Sequence, residues 1–68
     1  MKTVSGREMA RLAKRHGWTL SRVNGSHQDF TKEGRTERLV IPIHGNRDLP
    51  RGLQLAFMRI IPITEADL

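Results

Sequence analysis

The chain has 68 residues, with 12 Lys and Arg against 7 Asp and Glu, no Cys and a hydrophobic fraction of 37 %. That length admits one small domain, and without thiols neither a disulfide framework nor a thiolate zinc site staples it, so packing alone must hold the fold. No apolar stretch approaches the ~20 residues of a membrane-spanning helix, and the charged start lacks a signal-peptide h-region, so a cytoplasmic protein without a membrane partner is expected. For 7.8 kDa, surface scaling gives about 4,400 Å² of folded surface and burial of only about 60 % of the unfolded area. The core is expected to be thin.

The first helix is announced by Ser5-Gly6-Arg7-Glu8, a capping box in which the Ser5 hydroxyl accepts from the N3 amide and Glu8 reaches back to the Ser5 amide. Val4 at N′ and Met9 at N4 occupy the positions of a hydrophobic staple. Met9, Leu12 and Ala13, with His16 in phase, form one buried stripe, and Arg7, Arg11, Lys14 and Arg15 fall away from it. Gly17 is the C′ residue. From Trp18 to Val23 the period becomes alternating and predicts a strand, with Trp18, Leu20 and Arg22 on one face and Thr19, Ser21 and Val23 on the other. Asn24-Gly25-Ser26 is a turn signal, His27 to Thr31 a second strand around Phe30, and Lys32-Glu33-Gly34-Arg35 another turn.

Arg38 to Ile43 has the strongest strand propensity in the chain. Pro42 has no amide to donate, which places it on an edge or near a strand end. After His44-Gly45-Asn46, Asp48 and Pro50 predict the start of a second helix carrying Leu53, Ala56, Phe57 and Ile60 or Ile61, stopped by Pro62. Thr64, Glu65 and Asp67 could cap one more turn. The order helix, three antiparallel strands, helix predicts a single-domain α+β two-layer sandwich over residues 1–68, both helices on one sheet face and the other face open. A short turn near residues 32–37 would pair residue 27 with 42 and bring 44 near 25.

The charge is uneven. Residues 1–38 hold nine bases and four acids (9 − 4 = +5) and residues 39–68 three of each (3 − 3 = 0). A one-sided basic surface favours a polyanionic partner. Cys and Tyr are absent, which leaves three His and seven carboxylates as acids or bases near neutral pH. His16, His27 and His44 lack metal-ligand spacing, and no phosphate-cradling Gly-rich loop or nucleophile elbow is present, so neither a metal nor a cofactor is expected. His27 stands three residues from Phe30, so if Phe30 is core His27 faces outward, with Asp29 on the same face. Ser26 and Gly25 before it offer amides and a hydroxyl to a phosphate. His44 is a second candidate at that sheet end. His16 and Trp18 are read as packed residues.

Thr3-Val4-Ser5-Gly6 before a basic helix, His16-Gly17-Trp18, Gly25-Ser26-His27, Ile41-Pro42-Ile43-His44-Gly45 and Asp48-Leu49 resemble, in order and spacing, the HicA (YcfA-like) toxin family over about residues 2–61. These are messenger-RNA interferases with a fold like the double-stranded-RNA-binding domain, encoded with a HicB antitoxin. The resemblance implies metal-independent RNA cleavage with His27 as the catalytic residue and Gly25 and Ser26 completing its motif. Ser26, Asp29 or His44 would support it, Arg22, Lys32, Arg35 and Arg38 would bind RNA with Gly25 and Ser26, and a HicB-like antitoxin would cover the site. Arg7, Arg11 and Lys14 add to the positive field. The sequence departs from the family pattern at Asn24, Gln28 and Leu53. The alternative is a non-catalytic or attenuated RNA-binding module of the same fold.

Overall fold

The computed structural model describes residues 1–68. Its elements are α1 (Gly6–Arg15), β1 (Thr19–Asn24), β2 (His27–Thr31), β3 (Leu39–Pro42), α2 (Arg51–Ile60) and a 3₁₀ turn (Glu65–Asp67). The strands form one antiparallel sheet in the order β1-β2-β3. His27 pairs with Pro42 and Phe30 with Leu39, the expected register. Pro42 ends the edge strand β3. The surface is 4445 Å², close to the scaling value.

One core holds the layers together. Phe30, Leu39 and Ile41 from the sheet join Met9, Ala10, Leu12 and Ala13 of α1, Phe57 and Met58 of α2, and Ile61 just after it. Both helices therefore cover the same sheet face. β1 is the least covered strand: every residue of it is exposed, including Leu20 and Val23. Trp18, just before β1, is buried, and its indole N–H donates to the Ile61 carbonyl at 3.4 Å.

Helix α1 starts as the sequence dictates, with Ser5 Oγ accepting from the Glu8 amide at 3.1 Å. The reciprocal half of the box differs. The Glu8 carboxylate accepts from the Ser5 hydroxyl at 3.4 Å, while the Ser5 backbone bridges to Asp48. Gly6 lies against the end of β3: a Cβ there would collide with the Pro42 carbonyl oxygen. Only glycine lets helix and strand backbones approach this closely.

The start of α2 differs from the sequence expectation. Pro50 is the N-cap residue, with no side-chain cap bond. Asp48 instead accepts from Thr3 Oγ1 at 2.7 Å and helps tie the N-terminal segment to the loop after β3. The buried face of α2 is Gln54, Phe57 and Met58, continued by Ile61, whereas Ala56 is exposed. Gln54 is fully buried, and its amide accepts from the Val4 N–H at 3.0 Å and donates to the Lys2 carbonyl at 2.8 Å. It thus supplies the partners that the Val4 amide and the Lys2 carbonyl lack in the backbone, while the Val4 carbonyl accepts from Leu49 N–H at 2.9 Å. Gln54→Leu preserves bulk but strands the amide of the buried Val4, and should cost about 1–3 kcal/mol in urea unfolding; an unchanged midpoint would contradict this role. Thr64 and Asp67 complete a capping box on the final turn.

Candidate active site

Asn24 pairs with His27, so β1 and β2 are joined by Gly25 and Ser26 alone. Two-residue turns match the twist of the flanking strands when their first central residue has positive φ. Gly25 supplies it, at 61°. Its amide, and that of Ser26, make no backbone hydrogen bond, while the Ser26 carbonyl accepts from Ile43 N–H at 2.7 Å. Two free, exposed donors therefore sit immediately before His27.

His27 is exposed, on the sheet face away from the helices. Cross-strand pairs share a face, which gives two rows on this open side: Asn24, His27 and Pro42, then Arg22, Asp29 and Val40. Strict alternation predicts Arg22 on the face of Trp18 and Leu20. A β-bulge overturns that. Leu20 pairs with Phe30 but Arg22 with Asp29, so Ser21 is an extra residue and every later side chain of β1 changes face. The Ser21 hydroxyl fastens the bulge by donating to the Asp29 carbonyl at 3.1 Å. Arg22 is thereby brought to the His27 face and Val23 sent to the helix side.

The family model described as HicA toxin of bacterial toxin–antitoxin matches residues 6–63, most of the chain, including the hairpin and both rows. The chain belongs to the HicA toxin family. It is accordingly a toxin of a bacterial toxin–antitoxin pair, and a cognate antitoxin is its partner. No curated protein matches it.

The toxin's remaining candidate residues divide between the two ends of the sheet. His44 is exposed just beyond β3 and borders a groove of about 220 Å³ with Pro42, Arg47, Asp48, Leu49 and Pro50. Pro42, the cross-strand partner of His27, is common to both places. Arg47 is a cation that spacing did not reveal, since it lies in an irregular loop. Of the three histidine rings only His16 is hydrogen-bonded within the chain: its Nδ1–H donates to the Leu12 carbonyl at 3.0 Å, a helix-end role.

Lys32, Arg35 and Arg38 lie toward the other end, Lys32 being five residues along from His27, or about 16 Å of extended chain. The Lys32 stem runs beside Gly17. Arg35 clamps its own loop, donating from Nε and Nη2 to the two Glu37 carboxylate oxygens at 3.0 and 3.2 Å and from Nη2 to the Ile60 carbonyl at 3.2 Å. Its guanidinium lies 5.5 Å from the Trp18 ring centre. The structure therefore gathers Arg22, Gly25, Ser26, His27, Asp29 and Pro42 but sets these three cations apart.

Hydrogen bonds from Arg35 hold the Glu37 carboxyl below its ordinary range, and the same bonds raise Arg35. A carboxyl lowered in the folded state adds stability that is complete above its unfolded pKa and is lost as pH falls through the folded value. Acid should therefore release Arg35 from Trp18, and Glu37→Gln should remove that transition. Tryptophan fluorescence followed into acid reads this directly, and superimposable titrations of the two proteins would contradict the clamp.

No three His, Asp or Glu side chains group closely enough to hold a metal ion. No helix is long and apolar enough to cross a membrane.

Proposed function

We propose that the toxin is an endoribonuclease that cuts messenger RNA without a metal ion, using His27 as its acid–base group, and that a HicB-like antitoxin silences it by covering the open sheet face. The observation that carries this reading is the exposed His27 directly after a turn with free amides, with Arg22 and Asp29 in the neighbouring row. The chemistry balances without an external reactant. The His27 imidazole removes the ribose 2′-hydroxyl proton, O2′ attacks the adjacent phosphorus, and the bond from phosphorus to O5′ breaks.

The 5′-oxygen leaves with a proton from a second group, drawn from His44, Asp29 or a basic side chain, to give a 2′,3′-cyclic phosphate and a 5′-hydroxyl. A positioned acid–base group of this kind contributes about 10²–10⁴ in rate. Amides of Gly25 and Ser26, the Ser26 hydroxyl and Arg22 are suited to stabilise charge developing on the phosphoryl oxygens. Arg47 joins this set on the strength of its place beside His44 and Pro42.

Val40 and Pro42 give the same face apolar area that an antitoxin can bury, and the +5 net charge suits an acidic one. The binding-module alternative is separated by expression in a bacterial host. Growth arrest by the wild type, abolished by His27→Ala in a protein that still folds, supports cleavage; a wild type that binds RNA without arresting growth or cutting RNA supports mere binding.

A further inference from the structure

The largest groove, about 310 Å³, lies on the helix side of the sheet and is lined by Arg7, Ala10, Arg11, Lys14, Gln28 and Ile43. Arg7, Arg11 and Lys14 follow one another at spacings of four and three, so they share a face of α1. Ala10 between them is buried and short, which leaves the floor concave. No carboxylate neutralises these cations: the ion pairs of the chain join the Met1 amine to Glu65 and Arg35 to Glu37. Arg11 also borders a smaller groove containing Glu8 and Asp67, while Arg7 and Lys14 do not. Three like charges around a concavity focus a positive field that an anion relieves.

We propose that this groove binds backbone phosphates of the RNA whose cleavage is assigned to His27, as a second contact that positions the strand; the inference rests on that ribonuclease reading. Gln28 follows His27 in β2 and points to the opposite face, so the groove and the candidate site lie on either side of one strand end. Ile43, on the groove wall, donates its N–H to the Ser26 carbonyl at 2.7 Å. The Gly25–Ser26 turn is thereby tied to the groove wall and stands next to both sites. Val23, 58 % exposed and paired with Gln28, offers apolar surface on the groove side for a sugar or base. Protein hot spots centre on well-packed, fully desolvated pockets. This lining has only Ala10 and Ile43 as apolar members.

The test uses the full chain with His27→Ala, so that RNA is bound and not consumed. Affinity for a fluorescent single-stranded RNA is measured against salt for this parent, for a groove triple (Arg7→Gln, Arg11→Gln, Lys14→Gln), and for a control triple of equal charge loss (Arg15→Gln, Arg51→Gln, Arg59→Gln). All six side chains are exposed. The groove triple should weaken binding about tenfold or more and lower the slope of log K against log salt by about 2, while the control changes both far less. Gln28→Glu, nearly isosteric, should weaken binding in the same direction if the triple proves unstable.

Equal effects of the two triples, with Gln28→Glu inert, would overturn the groove and leave the ribonuclease reading standing. A parent that binds no RNA would overturn both. Loss of antitoxin binding with RNA binding intact would assign the groove to a protein and overturn the phosphate proposal.

Discussion

Replacing His27 with alanine should lower the rate of RNA cleavage by about 10²–10⁴ while leaving stability within about 0.5 kcal/mol of the wild type. The two halves of this expectation have one cause. His27 is exposed and lies outside the core that joins the helices to the sheet, so removing its ring opens no cavity and strands no buried partner. A side chain that contributes nothing to packing yet stands after a turn with free donors is placed for contact with something outside the chain. Rates measured alongside urea unfolding separate a catalytic loss from a folding loss. A variant that melts early and recovers its activity on cooling would mean that His27 is structural.

Glycine-to-alanine changes at the starts of the two helices should move stability in opposite directions. Helix propensity favours alanine at either place, and where the folded backbone accommodates it the change stabilises by about 0.4–1 kcal/mol. Gly52 meets that condition, because a Cβ there has no neighbour within 4 Å. Gly6 does not, since its Cβ would overlap the Pro42 carbonyl, a backbone atom held in place by the sheet. Gly6→Ala must push α1 off the end of β3 at a cost of about 1–3 kcal/mol, which for a domain of this size is on the order of 5–20 °C in Tm. Because Pro42 is also the cross-strand neighbour of His27, the displaced strand end should carry a loss of activity with it. Thermal unfolding of the two variants decides the matter, and stabilisation by both would show that the close approach is absent.

These contrasts show which parts of the molecule were legible beforehand. Signals confined to a few neighbouring residues read correctly: the Ser5 cap, the Gly25 turn and the pairing of His27 with Pro42 are set by local hydrogen bonding and by short loops. Features set by partners distant in sequence did not. Asp48 resembles a helix cap until Thr3, 45 residues away, takes its carboxylate. Gln54 is polar, yet it lies in the core, where it pairs with the Val4 amide and the Lys2 carbonyl, two groups with no backbone partner. The bulge at Ser21 leaves no mark on hydrophobic periodicity because every residue of β1 is exposed, and neither face of that strand is constrained by burial.

The candidate site followed the same division. Strand parity places His27 and Asp29 on one outward face, and the structure has them there, after the Gly25–Ser26 turn. For Arg22, alternation predicts the Leu20 face, whereas the bulge turns it to the face of His27. Charge alone groups Lys32, Arg35 and Arg38 with the site; Arg35 is instead occupied with Glu37, Ile60 and Trp18. Charge counts give the sign of a surface and say nothing of which cations already have partners.

The most direct test of a His27-centred ribonuclease is cleavage of a labelled RNA oligonucleotide by the purified toxin, beside the same oligonucleotide carrying 2′-deoxyribose throughout. The wild type should cut only the ribose substrate and leave 2′,3′-cyclic phosphate ends, and His27→Ala should leave it intact over the same interval. Cleavage of the deoxyribose substrate, or of RNA equally well by the wild type and the alanine variant, would contradict it.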